Sequence, residues 1–128
     1  MNKIKLIFLF LPAFIFISCT SDNTTDPENP NKTVRYYAIV SPSDDQNVLK
    51  TVTYTGASGS DVSENIAILN RTISFTSGTV INSSASGSTS GVLNIRVRVE
   101  IYIDNQLVAS QEADGPGSAF VTTTATVP

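Results

Sequence analysis

The chain has 128 residues, with eight Lys and Arg against eleven Asp and Glu, one cysteine and no histidine. Without histidine or a second cysteine it lacks the usual zinc, iron and copper ligand sets, and Ser-His-Asp and Cys-His catalysis with them. The acidic balance argues against nucleic acid, whose phosphates need clustered Lys and Arg, and against docking on anionic lipid through charge.

Residues 1–18 come first. Lys3 and Lys5 precede a twelve-residue apolar run, Leu6 to Ile17. This pattern matches the charged and apolar regions of a secretory signal peptide. The run is too short to span a bilayer, which takes roughly 20 apolar residues, and Pro12 interrupts it as a helix. Its end, Phe16-Ile17-Ser18-Cys19, resembles the lipobox of bacterial lipoproteins, in which a small residue precedes a cysteine that is lipidated and becomes the new N-terminus. Phe16 stands where Leu is usual. The resemblance implies lipidation of Cys19 and cleavage before it, and two or three acyl chains, at about 0.8 kcal/mol per buried methylene, would hold the product on a membrane.

Residues 19–32 follow as the lipidated cysteine and its linker. The thirteen residues TSDNTTDPENPNK carry no hydrophobic side chain, cannot bury enough surface to fold, and read as a disordered acidic tether. As a coil they reach about 20 Å, and at full extension no more than about 45 Å. Thr20 after the cysteine, where an inner-membrane retention signal has Asp, and the acidic residues soon afterward resemble outer-membrane and surface-exported lipoproteins. That resemblance implies an outer-membrane location, on its periplasmic or cell-surface side. Removing residues 1–18 takes away Lys3 and Lys5, leaving six basic against eleven acidic residues, a charge of −5.

Residues 33–128 are the size of one immunoglobulin-like sandwich. Period-two alternation recurs through them and no amphipathic helical pattern appears. The strands expected are Thr33 to Val40, Val48 to Thr55, Ile66 to Leu69, Thr72 to Thr76, Val80 to Ser83, a long strand ending at Ile103, Gln106 to Gln111, and Ala119 to Val127. SPSDDQN, GASGSD, SSASGSTSG and ADGPGS between them have loop and turn composition. The expected fold is all-β: a single antiparallel β-sandwich of seven or eight strands.

In the long strand Leu93, Ile95, Val97, Val99, Ile101 and Ile103 take the core face, and Asn94, Arg96, Arg98, Glu100 and Tyr102 the solvated one. Asp104-Asn105 reads as a type I′ hairpin turn, because both residues tolerate positive φ. A two-residue loop pairs Tyr102 with Leu107 and Ile101 with Val108; a bulged three-residue loop shifts that register. The segment Ser83 to Gly91 reads as a mobile low-complexity loop. Thr122, Thr124 and Thr126 share one face of the last strand, as high β-propensity at exposed positions explains.

Candidate acids for catalysis are Asp44, Asp45, Asp61, Glu64, Glu100, Asp104, Glu112 and Asp114. Their spacing indicates no convergent pair, and they read as solvated turn and surface residues. Asp44-Asp45 lacks the alternating oxygen ligands of an EF-hand loop. No catalytic residue, metal or cofactor is therefore expected.

The segments VTYTGASG, ISFTSGTV and VRVEIYIDNQLVASQEADGPGSAFVT resemble the β-sandwich of MmpS-type transport accessory proteins and of small lipoproteins sharing that domain. Tyr54, Ser58-Gly59, Ile101, Ile103, Asp104, Val108 and Gly115 carry the likeness over about residues 34–127. Leu69-Asn70 stands where that family has Pro-Trp, and Asn105 replaces its hairpin glycine. The resemblance implies a non-catalytic envelope accessory protein with an envelope-protein partner. The alternative class is a surface lipoprotein binding carbohydrate or a small ligand. It lacks tryptophan, and its four tyrosines are spread over three segments.

Overall fold

In the computed structural model the structure describes residues 31–128. The expected signal peptide, Cys19 and nearly all of the expected tether lie outside these residues. Eight strands form two four-stranded antiparallel sheets, as the alternation requires. They are β1 (Asn31–Ser41), β2 (Leu49–Thr55), β3 (Asp61–Glu64), β4 (Ile68–Thr76), β5 (Val80–Ser88), β6 (Asn94–Ile103), β7 (Gln106–Pro116) and β8 (Ser118–Thr126). Sheet A has the order β4-β1-β6-β7 and sheet B the order β3-β2-β5-β8. This is the expected β-sandwich, with β1 inside its sheet rather than at the edge where the first immunoglobulin strand lies.

The core lies between the sheets. From β1 it takes Val34, Tyr36, Ala38 and Val40, and from β6 Ile95, Val97, Val99, Ile101 and Ile103, all buried. Val52, Tyr54, Ile81, Ala85 and Val121 oppose them from sheet B. At one end the Tyr36 ring lies 5.4 Å from Tyr54 and meets Phe75 edge-on at 6.5 Å, the arrangement that aromatic quadrupoles favour. Burial pushes the Tyr36 phenol well above the usual tyrosine range, with the neighbouring Thr55 hydroxyl acting in the opposite direction.

Several boundaries differ from those read in the sequence. Asn31 and Lys32, assigned to the tether, begin β1. Lys32 forms an ion pair with Asp104 at 3.6 Å, and the Thr33 amide donates to Asp104 Oδ1 at 3.1 Å. Ile66–Leu69 and Thr72–Thr76 are not two strands: β4 runs unbroken from Ile68 through Asn70 and Arg71. Asp61–Glu64, read as loop, is the short edge strand β3 paired to β2.

The Ser83–Gly91 loop is also a correction. Strand β5 continues to Ser88, pairing with β2 and β8 along its length. Its inward residues there are Ala85 and Gly87 because the sheets come very close. A Cβ on Gly87 would lie 2.5 Å from Ile95 Cγ2 and 2.7 Å from Val40 Cγ1. Strand β7 likewise runs on to Pro116, so the ADGPGS segment turns only at Gly117, with φ of 76°.

Of the two loop lengths left open by the sequence, the β6–β7 hairpin has the two-residue turn, with φ of 48° at Asp104 and 66° at Asn105. Tyr102 faces Leu107, but a bulge follows, so Ile101 faces Ala109 instead of Val108. Leu93 precedes β6 and is 40% exposed, outside the core face assigned to it.

The register fixes which end is which. Asn31 pairs with Thr76, and Val34 with Ile103, so the chain enters beside the Asp104-Asn105 hairpin and the β4–β5 turn. Val127 shares that end, hydrogen-bonded to Gly78 and Thr79. The 42–48 and 89–93 loops lie at the opposite end, where Ser41 pairs with Arg96 and Leu49 with Ser88.

Candidate functional site

Alternation sends Arg35, Tyr37 and Ile39 of β1 to the outer face of sheet A, beside Arg96, Arg98, Glu100 and Tyr102 of β6. The register sets Arg35 opposite Tyr102, Tyr37 opposite Glu100 and Ile39 opposite Arg98. The register therefore groups these long side chains around Glu100 in the middle of the face.

Glu100 points outward yet is only 4% exposed, which corrects its assignment to a solvated face. The Tyr102 hydroxyl donates to Glu100 Oε2 at 2.7 Å, and Arg98 Nη2 donates to Oε1. Arg35 lies over the Tyr102 ring, 4.1 Å from its centroid, a cation–π contact. Burial alone would raise the Glu100 pKa; the bonds from Tyr102 and Arg98 and the charges of Arg98 and Arg35 outweigh it and hold the carboxyl below its usual range. The same carboxylate raises the Tyr102 phenol and the Arg98 guanidinium.

The rest of the face is compensated in the same way. Arg96 meets Glu112 at 3.6 Å, and Asn94 Nδ2 donates to Asp114 Oδ2 at 3.5 Å. Three arginines, Arg35, Arg96 and Arg98, thus stand among three carboxylates, Glu100, Glu112 and Asp114, so the face carries no net charge. It offers instead tyrosine and arginine side chains fixed in place before any partner arrives.

A second cluster joins the sheets at their edge. Tyr54 donates to Glu64 Oε1 at 2.7 Å, and Arg71 of β4 meets the same carboxylate of β3 through Nε at 3.3 Å and Nη2 at 3.2 Å. Arg71, and then Tyr54, lower the Glu64 pKa, and Glu64 raises that of Tyr54.

The remaining sequence candidates are dispersed. Asp45 accepts from the Asn47 amide at 2.8 Å while its carbonyl accepts from Lys50, an arrangement that closes the loop on itself. Asp61 accepts from Thr55 at 3.4 Å, and Asp104 pairs with Lys32. Among the described residues no group of three or more His, Cys, Asp or Glu is placed to hold a metal ion. Cys19 lies outside them.

Arg35 and Tyr37 were not singled out in the sequence. Their signal was present in the alternation Arg35, Tyr37, Ile39, but only the pairing of β1 with β6 shows what they converge on. No protein-family model matches the chain, and no curated protein matches it in sequence.

Proposed function

We propose that this is a non-catalytic, lipid-anchored envelope protein, held at the outer membrane through Cys19, that engages an envelope protein as an interaction or transport-accessory module of the MmpS-like kind. The observation carrying the reading is the preformed cluster of Arg35, Arg98 and Tyr102 about Glu100, with Tyr37 opposite Glu100 on the neighbouring strand. Tyrosine and arginine dominate protein-binding hot spots, since they supply large contact area and directional donors. Side chains already locked by internal bonds lose less entropy on binding. Net neutrality lets a partner cover the face without stranding a charge.

Position supports the same reading. The described domain begins at the end holding the Asp104-Asn105 hairpin, so an anchored chain would present the sheet faces alongside the membrane normal and the 42–48 and 89–93 loops away from the lipid.

Crosslinking in intact cells tests the proposal. The wild-type chain should enrich a specific envelope protein, and Arg35→Glu combined with Tyr37→Ala should lose it while remaining in the membrane fraction. Enrichment that survives this double substitution would remove sheet A from the account. Hydrolysis of a panel substrate, abolished by replacing one Asp or Glu, would contradict the non-catalytic reading.

A further inference from the structure

Among the described residues four strands stand at sheet edges, β4 and β7 in sheet A and β3 and β8 in sheet B. An open edge pairs readily with another chain unless charge, a bulge, proline or a short length spoils it. Three of these edges carry such protection. Strand β3 has four residues with an acid at each end, Asp61 and Glu64. Arg71 of β4 reaches across to Glu64 at 3.2 Å and sets a charged side chain over that side of the sandwich. Strand β7 bulges between Leu107 and Ala109 and then carries Glu112, Asp114 and Pro116.

Strand β8 has none of these devices. Ser118–Thr126 contains no charged residue and no proline, and it pairs with β5 along its whole length without a register shift. Just past its end the Val127 amide donates to the Thr79 carbonyl, and the Val127 carbonyl accepts from the Gly78 amide. Both groups of an antiparallel residue point the same way and alternate along the strand, so the odd-numbered residues of β8 turn their backbone to β5. The N–H and C=O groups of Ser118, Phe120, Thr122, Thr124 and Thr126 therefore face the open edge. Their side chains are exposed as well. Phe120 is 62% exposed, with the small Ser86 beside it on β5, so its ring is uncovered on both flanks.

We propose that β8 pairs antiparallel with β8 of a second copy of this chain, about a two-fold axis that joins the two B sheets into one. Full overlap of Ser118–Thr126 sets Thr122 on the axis opposite its own copy, Phe120 opposite Thr124, and Ser118 opposite Thr126. The strand complements itself. Each outward backbone group finds its counterpart, and the Phe120 ring acquires a β-branched neighbour, a favoured cross-strand pair. No charge on β8 meets its like, although the chain as a whole is acidic. A charged strand from another protein would find no counter-ion here. On the same side of the sandwich, the Glu112 and Asp114 half of β7 lies toward Ser118, so the axis places the acids of the two copies at opposite ends. The two points of chain entry also fall at opposite ends, about 30 Å apart along the strands. Residues 20–30 span at most about 40 Å, so both copies can hold to one bilayer. Sheet A stays free in the pair, and the inference does not depend on the partner proposed for it.

The test uses the full chain in detergent, with the wild type as the blank for Cys19. Thr122→Cys should form an intermolecular disulfide on mild oxidation, because directly opposed residues of a hydrogen-bonded pair have Cα atoms about 5.5 Å apart. Its crosslinked fraction should exceed at least tenfold that of the wild type and that of Thr72→Cys, which lies on sheet A opposite Arg35. Ser118→Cys should not crosslink to itself but should crosslink to Thr126→Cys when the two variants are mixed. In sedimentation the wild type should be a dimer, Thr72→Asp should remain one, and Thr122→Asp, which opposes two carboxylates on the axis, should be a monomer with an unchanged circular dichroism spectrum. Should Thr122→Asp fail to fold, the cysteine variants decide. A monomeric wild type, Thr122→Cys crosslinking no better than Thr72→Cys, or Ser118→Cys crosslinking to itself as readily as to Thr126→Cys would each overturn the proposal.

Discussion

The Tyr102 hydroxyl donates to Glu100 Oε2 at 2.7 Å, from two residues along the same strand, on a face where Glu100 itself is nearly inaccessible. Strand geometry puts residues i and i+2 in one row, and Arg98 completes it from the other side. A buried carboxylate held in this way should be costly to remove. We expect Glu100→Ala to lower the Tm by roughly 5–10 °C, since it leaves both donors without their acceptor. Differential scanning calorimetry measures this, and an unchanged Tm would mean that the cluster contributes nothing to stability.

The same group predicts a pH dependence. Its folded pKa is depressed, as is that of Glu64. The stability each contributes is therefore complete above the unfolded carboxyl pKa, about 4.3, and is lost as pH falls through the lower folded value. Wild-type stability should decline below about pH 4.5, and Glu100→Gln should decline less steeply over that window. Parallel acid profiles for the two proteins would show that Glu100 does not titrate with folding.

What could be read in the sequence followed from hydrophobicity, and what could not depended on pairing. The alternation from Ile95 to Ile103 declares a strand by itself, because every second residue is a large apolar one. Ser84–Ser88 conceals its strand because Ala85 and Gly87 are the inward residues, kept small by the approach of Ile95 and Val40. Glu100 looks like any solvated acid until β1 brings Tyr37 opposite it. The register past the hairpin turned on one bulge, which no residue in the segment announces.

Gly87 offers a direct check of that close approach. Gly87→Val should destabilise the domain by about 1–3 kcal/mol or more through overpacking, with the first added carbon already in contact with Ile95 and Val40. Ser86→Val, one residue away but outward-facing, should change stability by no more than about 0.5 kcal/mol. Equal effects in urea unfolding would contradict the assignment of the two faces.

A matching pair on β6 tests the opposite sheet. Val97 is fully buried, and Arg96 is exposed with Glu112 at 3.6 Å. Val97→Asp should cost several kcal/mol, enough to unfold most domains of this size, whereas Arg96→Asp should leave a folded protein. Greater damage from Arg96→Asp would exchange the core and solvent faces of the strand.

The anchor is tested separately. The hypothesis that Cys19 is lipidated rests on its position after Ser18 at the end of the apolar run. Cys19→Ala should move the protein from the detergent phase to the aqueous phase and abolish labelling by a radioactive fatty acid. Persistence of either signal would place the anchor elsewhere.

The most direct measurement for the proposed partner face is site-specific photocrosslinking in living cells, with a photoreactive amino acid replacing Tyr37 on sheet A or Thr124 on sheet B. The account predicts a discrete adduct with one envelope protein from position 37, none of it from position 124, and its loss when Arg35→Glu is added. No protein adduct from position 37, or the same adduct from both positions, would contradict the claim that sheet A holds the partner.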